Sequence, residues 1–139
     1  NPGSGFKPLN KIASGGELSR FLLAVKLCFL GDDNNKTQIF DEIDRGVGGA
    51  TASAIGKRLL ELSKHEQVLV VTHSPQVAAY SDNHLKVEKL NSDKSTITTV
   101  NTLNEEKTVR EIARMLSGEL VTTEALAAAA TLRNSSKNY

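Results

Sequence analysis

The feature that most limits the fold is Gln67–His73, "QVLVVTH", apolar and β-branched almost throughout. Such a run has no polar side to turn toward water. It predicts a strand covered on both faces, as in a parallel sheet. "TQIFDE" (Thr37–Glu42) predicts a second strand, short, buried and ended by carboxylates. Between them, Ala50 to Lys64 places Ala52, Ile55, Leu59 and Leu62 at helical spacing, so a helix joins the two strands.

Further helices flank this unit. From Gly15 to Leu30, the residues Leu18, Phe21, Leu22, Val25, Cys28 and Phe29 give an amphipathic stripe. Ser14 is its expected N-cap, Glu17 completes a capping box, and Gly31 suits the C-terminal end. Ser74-Pro75 opens another helix. "HLKVEKL" and "STITTV" alternate with period two around the turn "NSDK", which predicts a hairpin. Helices follow over Glu105–Leu116, with Val109, Ile112, Ala113 and Leu116 inward, and over Thr122–Arg133. The polar tail "NSSKNY" is expected to fray. The order predicts an α/β fold, with a mostly parallel sheet flanked by helices plus a β-hairpin.

Composition narrows the partners. A formal charge of +1 over 139 residues gives no whole-domain footprint for nucleic acid. Lys57, Arg58 and Lys64 make a modest basic face, as solvated helices often do. The single cysteine excludes an internal disulfide and fits a reducing compartment; Cys28 is expected in the core. No apolar stretch approaches the roughly 20 residues that span a bilayer, and no signal peptide opens the chain. The Gly- and Pro-rich start "NPGSGFKPLN" is loop-like, as expected of a piece of a longer protein.

In parallel α/β sheets, ligands bind beyond the carboxyl ends of strands. Asp41-Glu42 and Thr72-His73 fall there on neighbouring strands. An acid pair and a histidine on one rim suit metal-assisted attack of water on a phosphoryl group. Each part also has a plainer reading: a strand-end Asp-Glu as a cap or surface pair, the histidine as a structural residue. Asp44 could cap the next turn. "SGGELSR" offers glycines and a helix N-terminus to an anion, or is simply a loop entering a capped helix.

Taken in order, "SGGELSR", "IFDEID" and "VVTHSPQVAA" resemble the ABC-type ATPase family, in particular the heads of SMC-like chromosome and repair proteins. The longer stretches "KIASGGELSRFLLAVK", "IFDEIDRGVGG", "THSPQVAA" and "EIARMLSG" are similar to the C-terminal part of a bacterial DNA-repair branch, from about Lys7 to Leu132. The resemblance implies that residues 1–139 are the C-terminal lobe of a split P-loop (ABC/SMC-type) ATPase head. It implies ATP and Mg²⁺ as cofactors, with Asp41 in the metal shell, Glu42 activating water and His73 contacting the γ-phosphate. Ser14, Gly15, Gly16 and Glu17 would be the signature that closes over a nucleotide on the other head. Asp44 would support a dimer-facing loop that includes Arg45, Gly46, Gly48 and Gly49.

Implied partners are the N-terminal lobe of the same polypeptide, a second head in an ATP-dependent homodimer, and DNA reached through the full-length protein, with no membrane. The implied setting is double-strand break repair and recombination in the bacterial cytoplasm, at the nucleoid. Ala13 stands where many relatives have Leu, and Gly48 where many SMC relatives carry Asp. These residues contain no Gly-x-x-x-x-Gly-Lys-Ser/Thr phosphate loop and no heptad stretch. The isolated chain is therefore expected to be inactive. Rival readings are a metal-dependent nuclease or phosphatase using Asp41, Glu42 and Asp44, a transporter ATPase lobe, and a purely structural module. Glu17 and "DEID" speak against the transporter class.

Overall fold

A computed structural model of the chain describes residues 14–28, 36–92 and 95–137. They fall into two compact units, Asn1–Val77 and Ala78–Tyr139.

In the first unit, helix α1 (Gly15–Cys28) precedes strand β1 (Thr37–Asp41), helix α2 (Gly49–Ser63) and strand β2 (Gln67–Val71). A short helix, α3 (Pro75–Ala78), follows β2. The strands pair in parallel, from Thr37 opposite Gln67 to Asp41 opposite Val71. Phe40 faces a core of Leu23, Ile43, Ala52, Ile55, Leu59, Leu62 and Val77, with Val68 and Val70 packed against it. The α2 stripe is buried as its spacing predicts, because only one side of that helix is apolar.

Two expectations fail here. The β-branched run is covered on one face only by the described residues. Ile39 (70% exposed), Leu69 (43%) and Val71 (54%) share the other face, which is bare. In α1, Leu23 and Leu27 turn to the core, whereas Phe21, Leu22 and Cys28 are exposed. Apolar residues lie on more than one side of α1, so periodicity could not choose the buried stripe. Phe29 and Gly31 lie outside the described residues.

In the second unit, β3 (His84–Ser92) and β4 (Ser95–Leu103) form the expected antiparallel hairpin, with His84 opposite Leu103. Asp93 and Lys94 of its predicted turn lie outside the described residues. Helix α4 (Glu105–Ser117) starts at Asn104, whose side chain accepts from the Lys107 amide at 2.9 Å. Gly118, at φ 81°, closes it by donating to the Arg114 carbonyl, a conformation that favours glycine. Helix α5 (Thr123–Lys137) packs Ala125 and Ala129 against Ile112 and Ala113. Leu116 points outward instead of inward, 40% exposed.

The expected frayed tail is helical through Lys137, and its polar residues explain why. The buried Arg133 guanidinium donates to the carbonyls of Ala79 (2.6 Å) and Ser81 (2.7 Å) and forks onto Glu105 (3.1 and 3.2 Å). Ser136, also buried, donates to the Ala79 carbonyl. Tertiary hydrogen bonds, invisible to local composition, hold this turn.

Arg133, and then Lys137, hold the Glu105 carboxyl down from 4.5 to about 2. The unfolded chain binds that proton near its ordinary value, so this contribution to stability is present above about pH 4.5 and is lost as pH falls toward 2. Glu105 is half exposed, so solvent screening keeps the effect modest. Circular-dichroism melts between about pH 5 and pH 2 are expected to show a falling midpoint that Glu105→Gln flattens. An equally steep fall in that variant would exclude Glu105 as a source of the acid sensitivity.

Candidate functional site

Parallel pairing brings the C-terminal ends of β1 and β2 to one edge, so the residues that follow each strand become neighbours. The ladder runs one bond further, from the Glu42 amide to the Val71 carbonyl at 3.2 Å. The chain then turns sharply. Glu42 sits at φ 50°, a left-handed conformation that costs a non-glycine residue roughly 1–2 kcal/mol. The Arg45 amide closes the turn on the Glu42 carbonyl at 2.9 Å. Gly46 (φ 78°) and Gly49 (φ 52°) carry the loop into α2 through backbone that side chains seldom adopt.

Asp44 folds back beneath this turn and is buried. Its Oδ2 accepts from the Thr72 hydroxyl at 2.7 Å, joining the acid loop to the segment after β2. The same hydroxyl oxygen accepts from the Ser74 amide at 2.9 Å. Ser74 Oγ in turn caps α3 through the Val77 amide. Glu42 points elsewhere, to Arg45 Nη1 at 2.9 Å, an exposed ion pair that holds it only weakly. Glu42, Asp44, Arg45, His73, Ser74 and Gln76 border one cleft of about 460 Å³, with Gly48 also on its wall.

Asp41 is exposed on the bare face of the sheet at the end of β1, beside this cleft but not lining it. The three acids of "DEID" thus meet three different surroundings. Among the described residues, no group of three or more His, Cys, Asp or Glu could hold a metal ion. A two-metal arrangement of Asp41, Glu42 and Asp44 gains no support from this geometry.

At the start of α1 the capping box forms as its spacing predicts. The Ser14 amide donates to Glu17 Oε2 at 2.8 Å, and the Glu17 amide to Ser14 Oγ at 3.3 Å. The Ser14 amide holds the Glu17 carboxyl below its usual range. The first intrahelical bond is Leu18 to Ser14, so the amides of Gly15 and Gly16 precede it. A Cβ on Gly16 would lie 3.1 Å from the Arg45 carbonyl oxygen, so glycine lets α1 approach the acid loop. Arg20 fastens that contact by donating to the carbonyls of Ile43 (3.0 Å) and Arg45 (3.1 Å).

Of the rim expected from the sequence, Glu42 and His73 do border one cleft, and Asp41 does not line it. Sequence reasoning missed Arg20, Ser74 and Gln76. Arg20 closes the motif "SGGELSR", but nothing in that spacing tells that it reaches a loop 23 residues on.

No family model matches the chain. Curated relatives do. It is 48% identical over 132 residues to DNA repair protein RecN of Rickettsia felis, which covers 95% of this chain and 24% of that protein. RecN of Streptomyces coelicolor is 51% identical over 119 residues (86% of this chain, 21% of that protein). RecN of Xylella fastidiosa is 48% identical over 132 residues, with 95% and 24% coverage. The chain therefore spans about a quarter of the length of these relatives.

Among solved structures, a chain from a structural study of ATP-driven dimerisation and DNA-stimulated activation of SMC ATPases superposes with a TM-score of 0.55. It is 19% identical and aligns over 85% of this chain and 70% of that one, a likeness of fold. Over the residues they share, the chain is about half identical to these proteins named DNA repair protein RecN.

Proposed function

We propose that these residues form the C-terminal lobe of an SMC-like ATPase that acts in DNA double-strand break repair and recombination. The observation that carries this reading is the parallel β1–β2 pair, which delivers Glu42 and His73 to one cleft. The RecN relatives and the SMC ATPase fold support it.

In this reading Glu42 orients and deprotonates the attacking water. Its partner Arg45 is an exposed neighbour whose hold is worth no more than about 1 kcal/mol, so the carboxylate stays available. His73, across the cleft, donates to the γ-phosphate as charge develops there. Asp41 fits Mg²⁺, because one exposed strand-end carboxylate leaves the other coordination positions to water and phosphate oxygens. The metal, when bound, neutralises charge on the phosphates of ATP.

The first turn of α1, Ser14 to Glu17, presents the Gly15 and Gly16 amides to a nucleotide held by a second head. The loop Arg45 to Gly49 faces that head. ATP binding joins the two heads, hydrolysis parts them, and DNA is engaged through the full-length protein. Among the described residues no helix is long and apolar enough to cross a membrane; we place the protein at the nucleoid in the bacterial cytoplasm.

The rest of the head comes from the remainder of the polypeptide. These 139 residues contain no phosphate loop, and the bare face formed by Ile39, Leu69 and Val71 offers apolar area for an N-terminal lobe to cover. The purified 139-residue chain is therefore expected to bind ATP weakly and to release phosphate no faster than a protein-free control. Turnover by this chain that Glu42→Gln abolishes would overturn the need for a second lobe.

A further inference from the structure

We propose that Asp44 is a positioning residue for His73, acting through the hydroxyl of Thr72. The inference rests on the reading of Glu42 and His73 as the groups that serve ATP hydrolysis.

His73 has no regular structure to hold it. β2 ends at Val71 and α3 begins at Pro75, so the three residues between them lie outside any ladder or helix. What fixes this segment is a short relay. Asp44 Oδ2 accepts from Thr72 Oγ1, and that oxygen accepts from the Ser74 amide, so one hydroxyl ties both sides of His73 to the acid loop. Asp44 is itself held: the Glu42 amide bonds to Val71, and Arg20 grips the carbonyls on either side, Ile43 and Arg45.

The consequence is geometric. Glu42 lies two residues before Asp44 on one loop, and His73 lies one residue after Thr72 on the other. The Asp44–Thr72 bond joins the two loops that carry these side chains, and it is buried at the Asp44 end, where water competes poorly. Beyond the ladder, which ends with the Glu42 amide on Val71, the two loops are thus tied by a side-chain bond that uses neither the Glu42 carboxylate nor the His73 ring. Removing the bond frees the histidine segment without deleting the histidine.

The test uses the full-length protein carrying these residues, with ATP turnover and nucleotide affinity measured for each variant. Thr72→Val keeps the volume and loses the hydroxyl. It should lower kcat by about 10- to 100-fold, the scale of a misplacement of about 1 Å, with KM within about threefold of wild type. Thr72→Ser restores the hydroxyl and should recover most of that loss. Asp44→Ala should match Thr72→Val, and the two together should cost no more than either alone.

In a His73→Ala background, Thr72→Val should have no further effect, which a merely structural contact would not produce. If His73→Ala slows turnover while Thr72→Val does not, or if Thr72→Val adds its full loss on top of His73→Ala, the positioning role is overturned and the ATPase reading stands. If Glu42→Gln and His73→Ala both leave turnover intact, the ATPase reading fails and takes this inference with it.

Discussion

Glu42→Gln in the full-length protein is expected to slow ATP hydrolysis by a factor on the order of 10² or more, with nucleotide binding retained. The substitution keeps the size of the side chain and an oxygen that can still accept from Arg45, now 2.9 Å from the carboxylate. What it removes is the basicity that takes a proton from water. The turn at φ 50° is set by the backbone bonds to Val71 and Arg45, so the altered side chain should occupy the same place. Bound ATP would then accumulate with the heads joined. Phosphate release and equilibrium nucleotide binding separate these effects, and unchanged release would remove Glu42 from the role of base.

Arg133→Ala is expected to cost about 1–3 kcal/mol of stability in the second unit, the usual penalty for leaving main-chain acceptors without a charged donor. The guanidinium is 5% exposed and meets two main-chain carbonyls and a carboxylate. Without it the Ser81 carbonyl loses its Arg133 donor, and the Ala79 carbonyl keeps the Ser136 hydroxyl. Arg133→Lys should recover only part of the loss, because an ammonium cannot fork onto both Glu105 oxygens. Hydrogen exchange at α5 amides reads the effect locally. A cost below about 1 kcal/mol would mean that the carbonyls find other donors.

Where a structural element has one partner, its sequence announced it. The α2 stripe of Ala52, Ile55, Leu59 and Leu62 and the Ser14–Glu17 capping box are local patterns with a single solution. The meeting of Glu42 and His73 was legible for a related reason: two parallel strands with a helical crossover can end only at one edge. Illegible were the choices among several apolar faces, as in α1, and every polar contact spanning distant residues. Thr72 and Asp44 are 28 apart, and Arg133 reaches a carbonyl 54 residues away. The bare strand face was misjudged for a third reason. Ile39, Leu69 and Val71 record in their chemistry a covering that the described residues do not supply.

The most direct test of the cleft's chemistry follows two products in one reaction. The full-length protein is incubated with Mg²⁺, ATP and linear double-stranded DNA, and both phosphate release and DNA length are measured. The Glu42–His73 cleft, acting on ATP, predicts phosphate released with every DNA strand intact, and release suppressed by Glu42→Gln. Strand cleavage lost on replacement of Asp41, Glu42 or Asp44, with no phosphate released, would contradict it and assign the acids of "IFDEID" to a nuclease.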